Sequence, residues 1–202
     1  TGTAENADPV CVKSAHHDLI LDARRDDEAI ASAKEKGCTG ETIQFPVYVS
    51  PIAVAYNLKD VEDLNLSAPV IADIFSGKIK KWNDPKIAAD NEGVDLPDTK
   101  ITPVNRSDES GTTENFTKYL NGAAKDKWTA EPAKKWTGKG EGKAKTAGVA
   151  SAVKSTDGGI GYVEWGAAKD NKLSYAQIDN GAGAVELTGA SASKAISAAK
   201  IN

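Results

Sequence analysis

The sequence predicts an α/β protein, and three observations carry that expectation. Strand-like and helix-like stretches alternate along the whole chain. Its 202 residues, 40% hydrophobic and 27% charged, are enough for one sizeable core or two small ones. No apolar run approaches the ~18 residues that a membrane-spanning helix needs, so a transmembrane protein is excluded.

The elements follow in order. Residues 1–21 show no clear period, and Asp8-Pro9 is a turn signal. Residues 26–36 (DDEAIASAKEK) read as a short polar helix whose acids come first and lysines last, ended by Gly37. Residues 42–49 and 52–57 read as strands around Pro46 and Pro51. A helix opens at Ala68-Pro69 and runs through PVIADIFSGKI, with Val70, Ile71, Ile74 and Phe75 on one face. Trp82-Asn83-Asp84-Pro85 forms a turn and starts another helix, with Pro85 at its first position. Residues 96–98 are a loop, and residues 101–104 (ITPV) a short buried strand. After Asn105-Arg106-Ser107-Asp108-Glu109-Ser110-Gly111-Thr112-Thr113, residues 114–120 (ENFTKYL) read as a helix. The Gly- and Lys-rich residues 137–148 read as an exposed loop, and AGVASAVKSTDG as a helix stopped by Gly158 and Gly159. IGYVEW is a strand, and residues 190–200 a weak final helix.

Charge excludes one class of function. The formal net charge is −4, which argues against a nucleic-acid binder. Eleven basic and eighteen acidic side chains fall in residues 1–105, whereas residues 118–154 hold nine lysines and three acids. That basic stretch reads either as a solvated face or as an electrostatic funnel for an anionic ligand. Two cysteines with no zinc-site histidine spacing beside them make no structural zinc site, and His16-His17 lack the spacing of a helical metal pair. No metal or other cofactor is expected. The four tryptophans, Trp82, Trp128, Trp136 and Trp165, read as packing residues.

The segment that carries chemistry is Arg106 to Thr113. A helix start offers free amides and the positive end of a dipole, which together favour an anion. Gly111 lets the backbone approach a ligand, Ser110 and Thr112 can each donate a hydroxyl hydrogen bond, and Arg106 can bind two oxygens of a tetrahedral oxyanion. Asp108 could hold the guanidinium. The same residues also suit plain helix capping, and their chemistry alone leaves both readings open. The segment is neither a Walker loop nor a G-x-S-x-G nucleophile elbow, and it has no histidine base nearby. A hydrolase such as a phosphatase is therefore not expected.

Four blocks bring a resemblance: FPVYVSPIAVAYNL, IADIFSGKIKKWNDPKIAADNEGVDLP, ITPVNRSDESGTTENFTKYL and AVKSTDGGIGYVEWGAAKDNKL. In that order, from about Asp22 to Asn202, the chain resembles the phosphate-binding proteins of bacterial high-affinity phosphate ABC transporters, most of all the actinobacterial members. The resemblance implies a type II periplasmic-binding-protein-like fold of two lobes that clamp the anion. Here residues 50–202 would be the second lobe, with the anion loop, and residues 1–49 part of the first, residues 1–21 matching nothing in the family.

The resemblance implies Arg106, Ser110, Gly111 and Thr112 as phosphate ligands and Asp108 as the partner of the arginine. Asp22 would accept the hydrogen bond of a protonated phosphate oxygen, which disfavours fully ionised sulfate. Tyr162 and Trp165 would pack beside the hinge or the site. Cys38 resembles a position that the actinobacterial members keep, and Cys11 lies in the unmatched segment, so a Cys11–Cys38 disulfide stays open. The implied function is capture of inorganic phosphate, without catalysis, for delivery to membrane permease subunits. A receptor for sulfate or molybdate, or an interaction module with an incomplete site, is the alternative. The chain contains no Met, so a longer gene product is expected. Export to the periplasm or cell surface, with a lipid anchor on the precursor, follows from the resemblance.

Overall fold

The structure, a computed structural model, describes residue 35 and residues 49–198. The chain divides into two units, Thr1–Val49 with Ser197–Asn202, and Ser50–Ile196. Residue 35 is helical. The rest of the helix expected over 26–36 lies outside the described residues, as does the strand expected over 42–49 apart from residue 49. The elements of the second unit follow.

Strand β1 (Ile52–Asn57) is an interior strand of a five-stranded sheet. The others are β3 (Thr102–Arg106), β4 (Glu141–Lys143), β5 (Gly159–Glu164) and β6 (Ser174–Tyr175), in the order β4-β3-β5-β1-β6, with β5 the middle strand. β3 runs parallel to both β4 and β5, and β1 antiparallel to both β5 and β6. A smaller sheet joins β2 (Asn65–Ser67), β7 (Gln177–Asp179) and β8 (Ala184–Val185), with β7 in the middle. The helices are α1 (Ala68–Phe75), α2 (Pro85–Asp90), α3 (Gly111–Ala123), α4 (Lys145–Ser155), α5 (Trp165–Asp170) and α6 (Gly189–Ala198).

Alternation along the central strands separates two cores, since successive side chains point to opposite faces. Val54 and Tyr56 of β1 and Ile160 and Tyr162 of β5 join one cluster with α1, α3, Trp82 and Trp128. Ala53, Ala55 and Val163 join the other, with Val104 of β3 and Val149, Ala150 and Val153 of α4. The expected apolar face of α1, Val70, Ile71, Ile74 and Phe75, is buried throughout. Trp82 is fully buried and donates from Nε1 to the Gly158 carbonyl at 3.1 Å. Asp73 of α1, 2% exposed, meets Lys86 Nζ at 2.6 Å and Lys78 Nζ at 3.4 Å. Burial alone would raise its pKa, but the hydrogen bond and charge of Lys86, aided by Lys78, hold it below the usual value.

Three expectations need correction. The α1 helix stops at Phe75 rather than running on to Ile79. Gly77 adopts a left-handed φ of +77°, and the Lys78 amide turns back to the Asp73 carbonyl at 2.8 Å, as in a helix-ending turn. Residues 137–148 are not one loop. β4 pairs there with β3, Arg106 opposite Lys143, and α4 already begins at Lys145. The glycines serve close approach: a Cβ on Gly140 would lie 2.7 Å from Asn105 Oδ1 and 2.8 Å from the Pro103 oxygen. Finally, the helix expected at 114–120 spans Gly111–Ala123, because Ser110 caps it three residues earlier than its apolar period suggests.

Candidate functional site

Arg106 is the last residue of β3, at the carboxyl end of a strand with parallel neighbours on both sides, which is where α/β sheets place ligands. Its side chain is only 12% exposed. Nε donates to Asp108 Oδ1 at 2.9 Å and Nη2 to Asp108 Oδ2 at 2.6 Å, a bidentate fork. Nη1 reaches Thr146 Oγ1, in the first turn of α4, at 3.4 Å. The hydrogen bonds of Arg106 pull the Asp108 carboxyl well below the usual carboxylate range, and Asp108 in turn raises the Arg106 pKa. Both groups are charged at neutral pH. The fork occupies one edge of the guanidinium and leaves N–H groups on Nη1 and Nη2 for another acceptor.

Asp108 has a second task. Its Oδ1 accepts the Lys145 amide at 3.0 Å, which ties the Arg106 loop to the start of α4. Lys145 sits at φ +60°, an uncommon conformation for a residue with a side chain.

Ser110 and Gly111 are buried and Thr112 is half-buried. Ser110 is the N-cap of α3: its hydroxyl oxygen accepts the Thr112 amide at 3.1 Å, and its own amide donates to the Lys134 carbonyl at 3.0 Å. Capping and anion binding are compatible here. The cap uses a lone pair of Oγ, so the hydroxyl proton can still be donated. The amides of the first helical turn have no carbonyl partner within the helix.

Residues distant in sequence complete the surroundings. The Arg106 amide donates to Tyr162 Oη at 3.1 Å, and Tyr162 Oη lies 2.8 Å from Thr113 Oγ1. Burial raises the Tyr162 pKa, so its hydroxyl is neutral. The Tyr162 ring stacks on Phe116 of α3 at 4.5 Å between centroids, and Trp136 lies 5.4 Å away. Asn105, buried beside Arg106, donates from Nδ2 to the Arg106 carbonyl at 2.9 Å. Thr113, Thr146 and Asn105 were not singled out by sequence reasoning. Thr113 had one available signal, its place in the first turn of a helix that carries the candidate loop.

The structure thus joins Arg106 to Asp108 directly, and Ser110 to Thr112 directly, with Tyr162 and Thr113 linking the two pairs. Tyr162 packs beside the site, whereas Trp165 packs with the second core on the other face of the sheet. Asp22, Cys11 and Cys38 lie outside the described residues. Of the basic stretch, Lys134, Lys143 and Lys145 hydrogen-bond through their main chains to Ser110, Ser107 and Asp108, so positive residues border the loop on two sides. Among the described residues no group of three or more His, Cys, Asp or Glu is gathered that could hold a metal ion. No helix among them is long and apolar enough to cross a membrane.

Comparison with known proteins adds independent findings. A family model described as a PBP superfamily domain matches residues 18–202. The phosphate-binding protein PstS 2 of Mycobacterium tuberculosis (strain H37Rv) is 42% identical over 167 residues, covering 81% of this chain and 45% of that protein. The chain therefore spans less than half the length of this relative. Among solved structures, the ancestral soluble variant of the human phosphate binding protein superposes with a TM-score of 0.67 at 21% identity, over 88% of this chain and 52% of the other. A high-affinity periplasmic phosphate-binding protein, PfluDING, solved with phosphate bound, gives 0.62 at 24% identity, over 75% and 44%. At these identities the two structures speak to the fold alone.

Proposed function

The chain belongs to the PBP superfamily, and from that premise we propose that it captures inorganic phosphate as the substrate-binding part of an ABC transporter. The observation that carries this reading is the Arg106–Asp108 fork at the end of β3, set beside the capped start of α3. An arginine aligned by a carboxylate presents N–H groups in fixed directions, and the α3 amides add the positive end of a helix dipole. Arg106, Ser110, Gly111 and Thr112 are the proposed ligands, and Asp108 the orienting residue. Residues 50–202 act as the second lobe and residues 1–49 as part of the first, where Asp22 accepts a hydrogen bond from a protonated oxygen of the bound phosphate. The relative named for phosphate binding, at 42% identity, supports the same ligand. Phosphate leaves chemically unchanged and passes to membrane permease subunits. The chain works outside the cytoplasmic membrane, periplasmic or lipid-anchored at the surface.

Isothermal titration with phosphate, and with sulfate as the competing tetrahedral anion, tests this. Heat is expected with phosphate and not with sulfate. Arg106→Ala should weaken phosphate binding roughly 10- to 150-fold, the loss of about 1.5–3 kcal/mol carried by charge-assisted hydrogen bonds. Equal heats for both anions, or an unaffected Arg106→Ala variant, would refute the assignment.

A further inference from the structure

We infer that the paired hydroxyls of Tyr162 and Thr113 are a positioning strut, which sets Arg106 of β3 against the first turn of α3 so that both address one anion. The inference rests on the phosphate reading above and extends it to residues that touch no ligand.

The β3–β5 register ends at Val104 opposite Gly161, two residues short of Arg106. On that side the Arg106 amide finds the Tyr162 hydroxyl instead of a backbone carbonyl, at 3.1 Å. The same oxygen meets Thr113 Oγ1 at 2.8 Å. Tyr162 and Thr113 are 1% and 0% exposed, so water cannot replace either bond without opening the core. Two hydrogen bonds therefore join three elements, 49 and 56 residues apart in sequence, at the two points from which the proposed ligands project. Arg106 is the strand side of the site. Thr113 directly follows Gly111 and Thr112 on the helix side.

The ring of Tyr162 cannot swing to follow a displaced partner. It is stacked on Phe116 at an interplanar angle of 20° and bordered by Trp136 and by Phe75 at 6.2 Å. A rigid ring holding a hydroxyl between two ligand-bearing segments sets their separation, which is what preorganisation requires.

The test removes the hydroxyl and keeps the ring. Tyr162→Phe preserves the stack, Thr113→Val preserves the volume, and Thr113→Ser preserves the hydroxyl. In the full chain without phosphate, Tyr162→Phe should speed hydrogen exchange of the Arg106 amide about tenfold, with Val104 unchanged, as expected for one lost hydrogen bond. With phosphate, Tyr162→Phe and Thr113→Val should each weaken binding by about tenfold, and the double variant little more, because both break the same link. Thr113→Ser should bind like the wild type, which a loss of packing would not rescue. Unchanged Arg106 exchange in Tyr162→Phe overturns the strut, as does wild-type affinity in both hydroxyl-deleted variants. A wild-type chain that gives no heat with phosphate overturns the phosphate reading alone, and the exchange arm then decides the strut.

Discussion

Asp108 is a carboxylate whose charge is held by its neighbours. The fork to Arg106 lowers its pKa from the ordinary 3.8. A carboxylate depressed in the folded state adds stability at pH values above its unfolded pKa. It loses that stability as pH falls through the lower folded value. Wild type should therefore exceed Asp108→Asn in stability between pH 5 and 7, and the gap should close only well below pH 3.8 in acid unfolding followed by circular dichroism. Asp108 is 39% exposed, so solvent screening keeps the gap below about 1 kcal/mol. A larger effect is expected on phosphate affinity, because an asparagine accepts on one atom only and no longer balances the arginine.

Among the elements, α4 and β5 show how closely the sequence has been fitted. A Cβ on Gly161 would lie 2.9 Å from Val153 Cγ2, 3.0 Å from Val149 Cγ1 and 3.1 Å from the Val104 oxygen. Gly161→Ala should therefore cost about 1–3 kcal/mol in urea unfolding, through overpacking between sheet and helix. An unaltered midpoint would mean that α4 shifts freely on the sheet. The buried face of α1 and the Pro85 start of α2 were legible in the sequence, because period and capping are local properties. β4 was not, since three residues at a sheet edge have no period, and Gly140 and Gly142 looked like a loop until Asn105 stood against both. Arg106, Asp108 and the Ser110 cap were legible as one contiguous block. Thr146 was not, because the contact that brings it to Arg106 spans 40 residues. Which residues meet across such a distance is decided by the sheet order.

At the scale of the whole molecule, both hydrophobic clusters formed by the described residues lie inside Ser50–Ile196. Residues 50–196 produced alone should thus unfold in a single cooperative transition, with coincident fluorescence and circular dichroism midpoints. Separate midpoints would show that the core needs the remaining residues. The strand order has a further consequence in time. β1 lies between β5 and β6, and Ile52 is paired with Glu164. A ribosome adding ~5–20 residues per second makes β1 on the order of ten seconds before its partner exists. During that interval an apolar strand has no mate, and closing so long a loop is slow even afterwards. The nascent chain cannot close this sheet before β5 and β6 are made, so the sheet order itself delays folding long enough for a chaperone to hold the unpaired strand.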